Sequence, residues 1–139
     1  GSVNIFGKIT DELSLKSSLN YTVGKNTVTH LPMAHIPPLF GRTDFIIDSK
    51  PFIITFYAKY QAWKWLADYS PYGEDNAEKA TVNGTPAWQT FNMSVTIKIK
   101  KSFMLQAALE NMLDTNYRPF SSGVSGAGRN FILTFRANI

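Results

Sequence analysis

His30 and His35, with Asp44 further along the chain, are the side chains best suited to ligate a metal. A zinc-type site needs three or four donors at a recurring spacing. No third ligand stands at such a spacing here, so both histidines read as polar loop residues. The stretch GEDN, Gly73 to Asn76, supplies oxygens for calcium but lacks the fuller acidic spacing of a calcium loop, and reads as a solvated turn. Asp68 and Glu74 form a carboxylate pair of the kind glycoside hydrolysis uses, with nothing beside them to complete a site. A serine nucleophile motif, a phosphate loop and a dinucleotide fingerprint are all missing. The expectation is a protein that is not an enzyme, with no catalytic residue, no metal and no cofactor.

The elements that must position these residues are strands. Apolar residues recur at every second position, and the helical period is almost absent. In one segment Leu13, Leu15, Leu19, Tyr21 and Val23 alternate with Ser14, Lys16, Ser18, Asn20 and Thr22. Phe52, Ile54, Phe56, Ala58 and Tyr60 share a face in a second. Phe91, Met93, Val95, Ile97 and Ile99 do so in a third, and Phe103, Leu105, Ala107 and Leu109 in a fourth. The C-terminal stretch sets Phe131, Leu133, Phe135, Ala137 and Ile139 against Ile132, Thr134, Arg136 and Asn138. With weaker strands at Val3 to Thr10 and Arg42 to Asp48, the chain reads as an all-β, antiparallel up-and-down meander of about seven strands in one domain, residues 1–139.

Composition narrows the classes. The net charge is +4, charged residues are 17% and aromatics 14% of the 139 residues. The basic residues are scattered, so no nucleic-acid footprint is present. There is no cysteine, which excludes disulfides and thiolate metal sites. No stretch approaches the length of a spanning helix.

The connections carry more information than the strands. Short ones fall at Asp11-Glu12, Ser49-Lys50 and Lys101-Ser102, and long ones at Gly24 to Gly41, Trp63 to Gln89 and Asp114 to Gly128, in strict alternation. Compact domains rarely carry several such loops. Membrane β-barrels do so routinely, with short periplasmic turns and long external loops, an apolar face towards lipid and a polar face towards the lumen. In that frame the chain ends in the periplasm. Trp63 and Trp65 would belong to the aromatic girdle at the membrane interface, while Tyr69, Tyr72 and Trp88 are exposed-loop candidates for gripping a ligand ring. The alternative is a self-contained soluble small β-barrel or sandwich that binds an apolar ligand or a carbohydrate. That reading needs a second apolar face around a cavity, and the counter-face here is mostly small and polar.

The segment from Glu110 to Ile139, ENMLDTNYRPFSSGVSGAGRNFILTFRANI, resembles the C-terminal end of TonB-dependent outer-membrane receptors. Glu110, Asn111, Leu113, Asp114, Tyr117 and Arg118 match the first part of the family pattern, and Gly128, Arg129, Asn130 and Phe131 the second. Met112-Leu113 departs from the usual Leu-Phe, and Ile139 replaces the usual terminal aromatic. HIPPLFGR, DYSPYGEDN, NGTPAW and FNMSV upstream look like the Bacteroidetes-type branch.

The resemblance implies a segment of a barrel of about 22 strands, plugged by a separate N-terminal domain. It implies import of a scarce ligand, a ferric siderophore or similar metal chelate, across the bacterial outer membrane. The implied partners are outer-membrane lipid and the rest of the barrel and plug, with TonB reached only through the N-terminal part outside this sequence. On its own the segment would leave two strand edges unpaired. It would therefore be expected to rearrange into a small barrel or sandwich, or to associate as a homo-oligomer. Tyr117 would lie at the membrane interface, Asn111 and Asp114 would close the outward end of a strand, and Arg129 would pair with Glu110 across neighbouring strands.

Overall fold

A computed structural model describes residues 1–100 and 102–137. It contains nine strands: β1 (Ser2–Lys8), β2 (Leu13–Asn20), β3 (Phe40–Ser49), β4 (Phe52–Gln61), β5 (Lys64–Trp65), β6 (Gly84–Thr85), β7 (Trp88–Lys100), β8 (Phe103–Glu110) and β9 (Asn130–Ala137). Seven of them form one antiparallel sheet in the order β1-β2-β3-β4-β7-β8-β9, so each long strand pairs with its neighbour in sequence. The expected all-β meander is therefore the observed fold. The predicted extension of the last strand to Ile139 and the turn residue Lys101 lie outside the described residues.

The pairing register carries the two-faced pattern across the whole sheet. Leu13, Ile47, Ile54, Val95, Ala107 and Leu133 form one transverse row, and Leu15, Phe45, Phe56, Met93, Leu109 and Phe131 the next. On the opposite face Lys16, Asp44, Tyr57 and Asn92 form a row, beside Ser18, Arg42, Lys59 and Thr90. Because side chains alternate along a strand, a slip of one residue would mix these faces. Every pairing keeps them apart.

Among the described residues nothing packs on the apolar face. Phe45, Phe56, Phe131 and Leu133 remain 47%, 42%, 67% and 64% exposed. A sheet of a water-soluble domain buries its apolar face against a second layer, and here the sheet is a single layer. Nor does the chain rearrange into the small barrel or sandwich expected of an isolated segment. Among the described residues β1 pairs only with β2 and β9 only with β8, so the sheet order has two free ends. The local turns and side-chain parity already satisfy seven strands in sequence order, and closing β1 onto β9 would require a much tighter curl of that sheet.

The three long connections leave from one end of the sheet: residues 21–39, 62–87 and 111–129. The second is not structureless. It contains the β5–β6 ribbon and two single-turn 3-10 helices, Leu66–Asp68 and Ala77–Lys79. Its NGT stretch is a tight turn, in which Thr81 and Gly84 exchange backbone hydrogen bonds of 3.0 Å each. Gly84 takes φ 117° there, a conformation that a side chain disfavours.

Candidate functional site

The long loops converge on one acidic side chain. Asp75 is 2% exposed. Its Oδ1 accepts the His35 backbone N–H at 2.7 Å and its Oδ2 accepts that of Ser70 at 2.7 Å. GEDN is thus not a solvated turn. Its aspartate joins the first and second loops, and both carboxylate oxygens are already held by amides. The third loop enters through Ser121, whose Oγ lies 3.1 Å from His35 Nδ1 and whose carbonyl accepts from Asn76 Nδ2 at 2.9 Å. His35 is therefore part of a loop junction, and His30 stands apart in the turn formed with Asn26.

Lys64 braces the same junction. Its Nζ donates to the Ile36 carbonyl at 2.9 Å and sits 5.1 Å from the centre of the Phe120 ring. Burial lowers the Lys64 pKa below the usual lysine value, against the pull of the Asp68 and Asp75 carboxylates.

The C-terminal motif forms a clamp at the base of the third loop. Asn111 is 3% exposed with φ 49°, the left-handed conformation that asparagine tolerates better than most residues. Its N–H donates to Asn92 Oδ1 at 2.8 Å, its Nδ2 to the carbonyls of Thr115 and Ala127, and its Oδ1 accepts from the Thr115 N–H. Asn92 in turn donates to the Tyr57 carbonyl. Asp114 Oδ1 accepts the Arg129 N–H at 2.7 Å, which ties the loop's exit to its entrance. The motif residues therefore set where β8 ends and β9 begins.

The expected Arg129–Glu110 pair does not form. Glu110 pairs in register with Asn130, so Arg129, one position away, points off that face. Arg129 Nε donates to the Met112 carbonyl at 3.0 Å instead. Glu110 Oε1 accepts from the Tyr57 hydroxyl at 2.8 Å and faces Lys59 Nζ at 3.5 Å. Phe131, the next motif residue, lies on the apolar face.

The aromatic candidates divide. Tyr72 is 70% exposed at a loop surface. Tyr69 is 6% exposed; its hydroxyl shares a hydrogen bond with Thr85 and its ring meets Phe120 edge-on at 5.3 Å. What Tyr69 grips is therefore the protein itself. Trp88 begins β7 rather than lying in the loop, and its ring packs against Tyr117 at 4.4 Å. Gly126 lies against the Tyr117 ring, where a Cβ would collide with it, so Tyr117 packs within the third loop. Trp63 and Trp65 pair at 5.2 Å, with the Trp63 indole donating to the Asn83 carbonyl.

Sequence reasoning passed over a charged cluster on the polar face. Arg42 Nε and Nη2 both donate to Asp44 Oδ1, at 2.8 and 2.6 Å, and its guanidinium carbon lies 4.0 Å from the Tyr57 ring centre. Lys59 and Glu110 continue the cluster through Tyr57. Arg42, Asp44, Tyr57 and Lys59 share one strand parity, which is the signal that would have found them.

The chain superposes on the solved structure of the copper transporter OprC with a TM-score of 0.79 and 18% identity, over 94% of this chain. It spans 21% of that protein's length, so the likeness is to a segment. At this identity what is shared is the fold. No protein-family model matches the chain, and no curated protein does.

Proposed function

We propose that the chain is a wall segment of an outer-membrane β-barrel, the C-terminal part of a receptor of the TonB-dependent class. The observation that carries the reading is the uncovered apolar face of a continuous seven-stranded sheet. Such a face suits lipid, and the polar face suits a water-filled or plugged lumen. The two free sheet edges suit continuation into further strands of the same barrel. Braced long loops at one end and short turns at the other fit external and periplasmic sides. The resemblance of the C-terminal clamp residues to the receptor family, and the fold likeness to a copper transporter over a fifth of its length, support import as the activity. The cargo would be a ferric siderophore or similar metal chelate. In this reading the chain supplies wall, loops and lumenal charges, and TonB acts through a part of the protein outside it.

The lack of native cysteines in the chain makes a topology test direct. In the whole protein, cleared of any other reactive thiol, Tyr72→Cys and Lys50→Cys place one thiol in a long loop and one in a short turn. A bulky membrane-impermeant maleimide added to intact cells is expected to label position 72 alone, and position 50 only after the outer membrane is opened. Equal labelling of both in intact cells, or recovery of the protein in the soluble fraction, would sink the reading.

A further inference from the structure

The second and third loops border a half-open cavity of about 240 Å³ between the Lys79–Thr81 turn, the Thr85–Trp88 segment and Asn116–Arg118. No acidic residue lines it, whereas Lys79 and Arg118 bring two cations. Among the described residues neither cation has a carboxylate within ion-pair distance. Arg118 Nη1 is spent on the Lys79 carbonyl at 2.7 Å, and Nη2 reaches Ser125 Oγ only at 3.5 Å. Trp88 Nε1 and Arg118 Nε are closed to solvent without a partner among the described residues, so neither atom faces the cavity. The Trp88–Tyr117 pair adds an aromatic wall at the same place.

We infer that this cavity binds a small anion whose carboxylate is carried on a ring. The carboxylate would answer the two cations, since charge-assisted bonds to ammonium and guanidinium favour an anionic acceptor. The ring would pack against the Trp88–Tyr117 wall. The volume suits a single ring and not a large chelate, being at or below the lower end of pockets that take drug-sized ligands, about 300 Å³. The ring is supplied equally by an acidic sugar or by an aromatic acid. The cavity rests on the outer-membrane reading only for facing outwards; the binding itself is a property of the loops.

The test is calorimetric titration of the purified whole protein in detergent micelles, with tryptophan fluorescence as a second readout. Sodium glucuronate and sodium benzoate are the probes, and glucose and benzamide their uncharged counterparts. At least one carboxylate is expected to bind saturably and roughly tenfold more tightly than its counterpart. Whichever does so identifies the ring. Trp88→Leu removes one ring of the aromatic wall, and Lys79→Gln removes an exposed charge; each is expected to weaken that binding several-fold. The proposal is overturned if neither carboxylate outbinds its uncharged counterpart, or if both variants bind like the parent. Because labelling of positions 72 and 50 is read in cells and binding in micelles, failure of one does not entail failure of the other.

Discussion

The sheet and the loop cluster reverse the roles such parts usually play. In a water-soluble domain the sheet hides its apolar residues, and the loops are exposed and loosely held. Here the sheet leaves Phe45, Phe56 and Leu133 uncovered, while the loops bury Asp75, Lys64, Tyr69 and Ser70. The difference teaches that two sources of order operate. The strands are held by backbone pairing and fixed parity, and their apolar face is uncovered among the described residues. The loops are held by specific buried hydrogen bonds and need no such cover.

Charge placed on each face of one strand breaks the comparison most strongly. Phe56→Lys puts a cation on the apolar face near the strand's middle, where it is expected to cost about 2–4 kcal/mol in a bilayer. Thr55→Lys, one residue away on the polar face, is expected to be nearly silent. Measured as heat-resistant folded fraction after insertion into micelles, the two variants should separate clearly. Equal loss from both would mean that the faces do not meet different surroundings.

The loop cluster has its own weak point. Asp75→Ala leaves the buried Ser70 amide and the part-buried His35 amide without acceptors, at a cost of about 2–3 kcal/mol. Amide hydrogen exchange should accelerate at those two residues and spread through the second loop, with the sheet unchanged. Asp75→Asn keeps one acceptor oxygen and should recover part of the protection. Protection that is unaltered in both variants would show that the loops are held some other way.

A smaller effect separates the two things Asn111 does. Asn111→Gly loses the side-chain bonds but keeps an easy left-handed backbone, whereas Asn111→Ala loses both. The alanine variant should be less stable than the glycine variant by about 1 kcal/mol. Equal midpoints in denaturant would assign the whole role to the amide.

What was legible in the sequence follows the same division. Period 2 is a local signal, so the face of Leu15, Phe56 or Leu133 could be read without knowing its partner. Strand ends were less legible. β2 stops at Asn20 and not Val23, and β7 begins at Trp88 and not Phe91, because pairing partners decide where a strand ends. The loop cluster was nearly opaque. Asp75 sits among GEDN like any turn acid, and one of its partners, His35, lies 40 positions away. The two-residue strands β5 and β6 are too short to show a period. Asn111 and Asp114 follow directly on the end of β8, whereas Arg129 donates to the Met112 carbonyl because Asn130 holds the register position opposite Glu110.

The least of the expected effects tests the loop cluster by pH. Lys64 has its pKa lowered by burial, so the folded state gives up this proton at lower pH than the unfolded chain does. Between those two values the unfolded state binds more protons, and stability rises with pH. Below the folded value the burial penalty is present in full, and above the usual lysine range it is gone. Loop protection from hydrogen exchange, corrected for the intrinsic rate, should therefore increase modestly as pH climbs towards 10.5. Lys64→Met keeps a stem of similar reach without the charge. It should flatten that rise, while losing the bond to the Ile36 carbonyl. A pH profile that is the same with methionine would leave Lys64 out of the linkage. A flattened profile would show that a lysine at the loop junction is retained for the carbonyl it holds, at some cost in stability.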